Sequence, residues 1–342
     1  MSKPLVSVVM PVYNTANLVC KAINSVLGQT YEDVEVVVVD DGSTDCSLEV
    51  LQKSFNSDAR VKILHKENGG ASSARNEALN HINGEYITFL DSDDTFTSDA
   101  VQNLMETLMK NCADVAVPNV FSEISVEGVP ITVILYEESQ DVLEAKQFCV
   151  DHMITEGTAW RCSSVLYRAD IIRDHAIRFS EGHTAEDYLF NLNVMRYANT
   201  VSVEREITLH VQKRAGSVTA SYRPELLQLF LYIDEQTYAY LRDAGYDKAE
   251  SRRIADRLLG RNVVTYFMKE ISTGSQKNGF MKSYRTAVKE IRKNGGFYSV
   301  LQDVARGRAY FSTKRKRQLA RILAGMLAHR LYFASAICIR LI

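Results

Sequence analysis

At 342 residues, 46% hydrophobic and 24% charged, the chain has room for two domains, or for one large domain with an appendage. Its composition excludes fibrous and disordered classes. Six scattered cysteines (Cys20, Cys46, Cys112, Cys149, Cys162, Cys338) form no C-x-x-C pair, which argues against zinc or a disulfide framework and fits a reducing cytoplasm. Met1-Ser2-Lys3-Pro4 runs straight into a strand pattern, so no signal peptide is expected. The net charge of −2 conceals an asymmetry. Residues 225–342 carry 22 Lys/Arg against 10 Asp/Glu, a net of +12, and the first 224 carry 18 against 32, a net of −14. The acidic part could recruit metal and the basic part an anionic partner, or both are solvated surfaces that neutralise each other.

The elements then follow in chain order. Val6 to Val12 reads as a strand, and Asn17 to Gln29 as an amphipathic helix with Leu18, Ala22, Ile23, Val26 and Leu27 at helical spacing. Glu35 to Val39 is a second strand, with Ser43-Thr44-Asp45 as N-cap for a helix through Leu51. A short strand (Val61 to Leu64), a Gly69-Gly70 loop, a helix through Leu79, an Asn83-Gly84 turn and a strand at 85–90 complete a β-α-β-α series. That order implies a parallel sheet with right-handed crossovers. A helix (Ser98 to Asn111), a strand (Ala113 to Val117) and β structure around Gly128-Val129-Pro130 follow. Ala185 to Tyr197 reads as helix and Ile207 to Gln212 as strand; from Pro224 onward the chain is helical and basic. The expected domains are 1–222 (nucleotide-binding half 1–117, acceptor half 118–222) and a helical domain, 223–342.

Two acidic clusters close strands. Val36-Val37-Val38-Val39 leads into Asp40-Asp41-Gly42-Ser43, and Tyr86-Ile87-Thr88-Phe89-Leu90 into Asp91-Ser92-Asp93-Asp94. Carboxylates at the carboxyl ends of parallel strands face the crevice where open α/β sheets bind ligands. One aspartate of the first pair would cap the next helix. The other would accept from a base N–H or a ribose hydroxyl. Asp91 and Asp93, two residues apart at a strand break, can turn toward one hard cation that also takes diphosphate oxygens. Pro11-Val12-Tyr13-Asn14 offers a ring to stack on a base, or simply turns the chain. Asn68 to Asn76 joins a Gly-rich loop to a helix start, exposing backbone N–H groups and Arg75 to an anionic or base-containing ligand.

These four motifs, in this order and spacing, resemble the family 2 glycosyltransferases, inverting enzymes of the GT-A fold common in bacterial polysaccharide synthesis. The resemblance covers roughly residues 4–220. It implies a mixed, mostly parallel α/β sheet with flanking helices, a nucleotide-sugar donor (usually a UDP-sugar) and Mn²⁺ or Mg²⁺. Tyr13 and Asp41 match positions that contact base and ribose, and Arg75 an arginine near the base; Pro11, Ser92, Arg214 and Ser217 fall in the same nucleotide-sugar site. Asp93 matches the metal carboxylate, with Asp91 helping directly or through water. Asp187, in the pair Glu186-Asp187 at a loop-to-helix junction, matches the base that takes the acceptor's proton; two acids in a helix's first turn also suit the dipole alone. Glu186 and Trp160 are assigned to the acceptor side, although Trp160 could equally serve the core. Leu209 to Ser217 matches the segment that closes over the diphosphate, with Val211-Gln212 replacing the usual Tyr-Arg and Lys213 or Arg214 as substitutes. His210 is either a metal or phosphate contact or a packed strand residue.

The resemblance thus implies a hexosyl- or N-acetylhexosaminyltransferase acting on a glycan or lipid-linked hydroxyl. A catalytically inactive nucleotide-sugar-binding scaffold and a nucleotidyltransferase are the alternatives. Lys314-Arg315-Lys316-Arg317 precedes apolar positions at helical spacing that are interrupted by cations. Residues 314–342 therefore read as an interfacial helix on an anionic membrane, or as a helix packed on its own domain or a partner copy. The expected location is cytoplasmic, peripheral on the inner face of the membrane. No nucleic-acid motif is present, and a homo-oligomer is left open.

Overall fold

Runs of β-branched residues build the first half of the larger sheet. The computed structural model describes residues 3–126, 128–158, 161–182, 185–213, 225–294, 297–306 and 314–340. The series opens with β1 (Val6–Val12), α1 (Val19–Leu27), β2 (Val34–Asp41), α2 (Ser47–Phe55), β3 (Val61–Lys66), α3 (Ala71–Leu79) and β4 (Tyr86–Phe89). Every residue of β1 is buried, as a parallel strand covered on both faces requires. α1 places Val19, Ala22, Ile23 and Val26 on that core, each larger aliphatic among them contributing about 1.5–3 kcal/mol.

The chain continues through β5 (Thr95–Phe96), α4 (Ala100–Lys110), β6 (Val115–Pro118), β7 (Val120–Ile124), β8 (Pro130–Ile134), β9 (Val142–Glu144) and α5 (Ala145–Phe148), which passes into a π-helical stretch, Cys149–Glu156. After it come β10 (Leu166–Arg168), α6 (Ala169–Asp174), α7 (Glu186–Tyr197), β11 (Thr200–Glu204) and β12 (Leu209–Gln212). The eight-stranded sheet has the order β3-β2-β1-β4-β10-β6-β11-β9, and a four-stranded sheet the order β5-β12-β7-β8. β1, β2, β3 and β4 are parallel, whereas β10 lies antiparallel between β4 and β6. The sheet is therefore mixed, and the strand order reverses at β1, with β2 on one side and β4 on the other. That switch point is where ligands enter open α/β sheets.

One expected boundary moves in an instructive way. Asp40 and Asp41 do not follow the second strand but belong to it, in register with His65 and Lys66 of a longer third strand. The cause is electrostatic: each carboxylate meets a basic side chain across the ladder, His65 Nδ1 at 2.8 Å from Asp40 Oδ2 and Lys66 Nζ at 3.0 Å from Asp41 Oδ1.

The chain divides into two compact units, Met1–Cys149 with Ala159–Ala215, and Val150–Thr158 with Gly216–Ile342. The division falls a few residues before the expected one and gives a short internal segment to the second unit. That unit is helical: α8 (Leu226–Asp243), α9 (Lys248–Lys269), a π-helical Glu270–Gly274, α10 (Ser275–Asn278), α11 (Phe280–Lys293), α12 (Phe297–Ala305), α13 (Lys314–Ala328) and α14 (Tyr332–Arg340). Asp247 caps α9 by accepting from the Glu250 N–H at 2.8 Å. No described helix is long and apolar enough to cross a membrane.

The apolar stripe of α13 is spent within this unit. Ala320, Leu323, Ala324 and Leu327 are buried, and α12 and α13 pack together. Ile322 and Leu331 stay exposed. Of the two readings of this stripe, lipid or its own domain, packing within the unit takes up Leu323 and Leu327, while Leu319 and Met326 are half-buried.

A glycine sets the approach of α9 to α12. A Cβ on Gly260 would sit 2.8 Å from the Val300 carbonyl oxygen and 2.8 Å from Val304 Cγ2. Gly260→Ala gains about 1 kcal/mol of helix propensity but forces the helices apart, and the overpacking, about 1–3 kcal/mol, outweighs it. Thermal unfolding should show a fall of several degrees (~2–4 °C per kcal/mol); an unchanged or raised midpoint would refute the close crossing.

Candidate active site

The chain leaves β1 at Tyr13, 48% exposed, and turns at Asn14 with φ of 53°. Asn14 Oδ1 accepts from the Thr44 N–H (2.8 Å) and the Asp45 N–H (3.2 Å). The Asn14 N–H donates to Ser43 Oγ (3.0 Å) and the Thr15 N–H to Ser47 Oγ (2.9 Å). The loops after β1 and β2 are thus stitched together, with the Tyr13 ring projecting from a fixed crest. Pro11 is buried within β1 opposite Val39, so it shapes the crest from below.

The two aspartates of β2 divide their work otherwise than expected. Neither caps α2, whose N-cap is Cys46; Asp45 Oδ1, one residue earlier, accepts from the Ser47 N–H at 2.9 Å. Asp41 Oδ1 accepts from Lys66 Nζ (3.0 Å) and the Gly69 N–H (3.0 Å), and Oδ2 from the Gly70 N–H (2.7 Å). Its carboxylate is occupied in folding the glycine loop onto the strand end. Gly42 belongs to the same clasp: its φ is 69°, and a Cβ there would lie 2.7 Å from the Asn68 nitrogen. Asp40 is fully buried, and its Oδ1 has no hydrogen-bond partner among the described residues. An orphaned carboxylate oxygen at a strand end is a costly group that a ligand N–H or hydroxyl would satisfy.

The second cluster is organised around Arg75, 5% exposed. In Ala74-Arg75-Asn76 of α3, Ala74 is fully buried. Asn76 clamps the Phe179 backbone, accepting from its N–H at 2.8 Å and donating to its carbonyl at 3.0 Å. Arg75 lies over the Phe179 ring, 5.2 Å from its centroid, which itself stacks on Phe190 at 4.1 Å. From this aromatic floor the guanidinium donates to Asp91 Oδ1 at 2.7 Å and approaches Glu186 Oε1 at 3.5 Å and Asp187 Oδ1 at 3.7 Å. It thus sits among three carboxylates, one that follows β4 and two that open α7.

Glu186 and Asp187 open α7, where the helix dipole favours acids. Asp187 Oδ2 accepts from the Cys162 N–H at 3.2 Å, while Oδ1 is buried without a hydrogen bond to a described residue. Asn191 fixes this junction, accepting from the Tyr167 hydroxyl at 2.7 Å and donating to the Arg161 carbonyl at 3.2 Å. Burial raises the Asp187 carboxyl above its ordinary range, with Arg75 opposing and Asp91 reinforcing the shift. Burial and the Asp187 charge raise Glu186 as well. Burial works against ionising Asp91, but Arg75 overrides it and holds Asp91 below the usual range. For Arg75, burial opposes the charge, and Asp91, Asp187 and Glu186 more than restore it.

Asp91 also accepts from Ser163 Oγ at 3.3 Å, so both its oxygens have protein partners. Ser92 is buried and its Oγ accepts from Thr15 Oγ1 at 3.0 Å; it braces the β1 loop. Asp94 Oδ1 accepts from the Gln212 N–H at 3.0 Å. Burial, then the charges of Asp91 and Asp93, push Asp94 up to about 7. No group of three or more His, Cys, Asp or Glu side chains among the described residues forms a metal cage. The donor set here is of the other kind, one or two carboxylates that share a cation with phosphate oxygens. The charges of Asp91 and Asp93 that add to burial in raising Asp94 are an excess of negative charge that such a cation would relieve.

Arg161 escaped the sequence reading. It lies over the Phe121 ring at 4.9 Å and 3.9 Å from Asp94 Oδ2, and it bears on Asp91 and Asp187 as well. The available signal was an arginine directly after Trp160, a residue assigned to the acceptor side. His210 is half-buried, and burial with the nearby Lys21 lowers its pKa; its charged neighbour is on α1 rather than among the acids. Lys213 is engaged with Glu123 at 2.7 Å. Trp160, Arg214 and Ser217 lie outside the described residues.

A mixed α/β sheet with an exposed tyrosine after β1, acidic ends to β2 and β4, and an acidic pair from α7 joined to the second of these through Arg75 is the architecture of the GT-A glycosyltransferases. Comparison with known proteins agrees. The glycosyl transferase family 2 profile matches residues 7–166. Glycosyltransferase GlyA of Streptococcus pneumoniae serotype 4 is 30% identical over 255 residues, 70% of this chain. The chain spans about a third of that protein, 35% of its length. An uncharacterized glycosyltransferase of Haemophilus influenzae is 32% identical over 197 residues, 57% of this chain and 74% of that protein. The crystal structure of S. aureus TarS 1–349 in complex with UDP-GlcNAc superposes with a TM-score of 0.68 at 21% identity, covering 98% of this chain and 90% of that one, which speaks to fold. The chain belongs to the family 2 glycosyltransferases.

Proposed function

We propose that this glycosyltransferase moves a hexosyl or N-acetylhexosaminyl group from a UDP-sugar, with Mn²⁺ or Mg²⁺, to a hydroxyl of a glycan or lipid-linked acceptor in cell-surface polysaccharide synthesis, with inversion. The observation that carries it is Asp187, a half-buried carboxylate with one oxygen held by the Cys162 N–H and the other a buried atom without a hydrogen bond to a described residue. The UDP-GlcNAc carried by the TarS crystals supports the donor class. In this reading Tyr13 stacks on the base. Asp40 accepts from its N–H or from the ribose, the role first given to Asp41. Asp93 is the cation ligand, with Asp91 acting through water because Arg75 and Ser163 hold its oxygens. When bound, the cation supplies charge neutralisation for the departing diphosphate. Asp187 accepts the acceptor hydroxyl's proton as that oxygen bonds to the anomeric carbon and the nucleoside diphosphate leaves. An α-linked donor then gives a β-linked product.

Turnover of UDP-Glc, UDP-Gal, UDP-GlcNAc and UDP-GalNAc with Mn²⁺ or Mg²⁺, followed as UDP release, tests the reading. One donor should be preferred; no release and no UDP binding under any condition would refute it. Asp93→Ala should abolish the part of UDP affinity that chelator removes from the wild type. Full chelator-sensitive affinity in that variant would overturn the metal assignment.

A further inference from the structure

Helix α11 carries its charge on one side. Lys282, Arg285, Lys289, Arg292 and Lys293 are exposed, whereas Ser283, Ala287, Val288 and Ile291 are buried. The cations recur at steps of three, four, three and one residue, so they share a face. The row is about 16 Å long at the helical rise. Glu290 is the helix's one acid, and it is half-buried. Lys282, Arg285, Lys289 and Lys293 make no ion pair or hydrogen bond with another described residue; Arg292 lies over the Tyr332 ring at 5.4 Å. The dipole of the helix C-terminus accounts for Arg292 and Lys293. It does not account for Lys282, in the first turn where that dipole disfavours cations, or for Arg285 and Lys289 in the middle of the helix beyond its reach. An ordinary solvated face would also mix both signs.

The shape of the face narrows the partner. The other exposed side chains on the helix are Met281 and Thr286, so no set of amides, hydroxyls or aromatic rings is present to grip a single phosphate or a base. The apolar side is occupied by the Glu270–Gly274 turn and by α14, so the helix cannot insert. A straight row of cations, four of them without an ion pair or hydrogen bond to another described residue, matches a broad, delocalised negative surface. We propose that this face of α11 docks the protein electrostatically on anionic phospholipid headgroups, without insertion. The inference stands apart from the sugar and the acceptor, and it differs from the apolar docking expected of residues 314–342.

The test is co-sedimentation of the full chain with phosphatidylcholine vesicles, with and without phosphatidylglycerol. The wild type should bind the anionic vesicles only and be released by salt. Each cation near such a surface contributes about fivefold. Lys282→Gln/Arg285→Gln/Lys289→Gln/Lys293→Gln should therefore lose at least ~100-fold in partition, and the double variant Arg285→Gln/Lys289→Gln at least ~10-fold. Lys53→Gln/Lys110→Gln/Lys146→Gln, three exposed lysines of the first unit, should bind as the wild type does. Thermal unfolding and UDP binding check that each variant is folded, and the double variant decides if the quadruple one is not. The proposal is overturned by equal binding to neutral vesicles, by no binding of the wild type, or by tighter capture on soluble polyphosphate. Undiminished binding of the variants would also overturn it and would move the contact to Lys314–Arg317.

Discussion

Asp187→Asn should lower kcat by about 10²–10⁴-fold, the usual contribution of a general base, with UDP affinity close to the wild type. The amide keeps the shape of the carboxylate, and its oxygen can still accept from the Cys162 N–H at the position Oδ2 holds at 3.2 Å. What it loses is the basic oxygen beside Arg75. Asp40 and Asp41 stand on β2 and Tyr13 follows β1, away from α7, so the nucleoside end is untouched. A collapse of UDP binding together with kcat would remove Asp187 from the role of base. The pH dependence adds an independent check. Burial raises the Asp187 carboxyl above its ordinary range, and the base must be ionised to act. Activity is therefore present above the folded-state pKa and lost as pH falls through it. The acid limb of the kcat profile should stand above the normal aspartate range and should be absent from the residual activity of Asp187→Asn.

The fold was largely legible because its early elements are local. The strands at Val6, Val34 and Val61 and the helices between them follow from runs and spacings within ten residues, and the β-α-β-α order leaves few topologies. The antiparallel β10 was not legible, since only its neighbours β4 and β6 define it. The site was legible as residue types and much less so as partnerships. Asp40 and Asp41 are equivalent in the sequence. What separates them is that the loop at Gly69 and Gly70 returns to one carboxylate and leaves an oxygen of the other open. Arg75 could be placed near a ligand but not beside Asp187, because more than a hundred residues separate them and only the packing of α3 against the Phe179 segment closes the gap. Likewise the apolar periodicity of α13 was correctly seen, and periodicity does not say whether lipid or α12 covers it.

Arg75→Ala should produce the largest combined loss of stability and activity, since it leaves Asp91, Glu186 and Asp187 facing one another without their cation. Removing one partner of a buried ion pair costs about 3–5 kcal/mol. The side chains of Asp91, Glu186 and Asp187 are 34%, 24% and 29% exposed, so solvent screens part of the repulsion and the lower end, about 3 kcal/mol, applies. Thermal unfolding should fall by roughly 6–12 °C. Arg75→Lys separates charge from geometry. An ammonium can neutralise Asp91 but cannot also span to α7 as the planar guanidinium does. That variant should recover most of the stability while kcat stays well below the wild type, with donor KM less affected. Arg75→Ala/Asp91→Asn should be more stable than the sum of its single variants predicts, since the second change removes a charge the first left unpaired. Additive losses would mean that Arg75 acts by packing over Phe179 alone, and the electrostatic link it makes between Asp91 and the Glu186-Asp187 pair would then have to be given up.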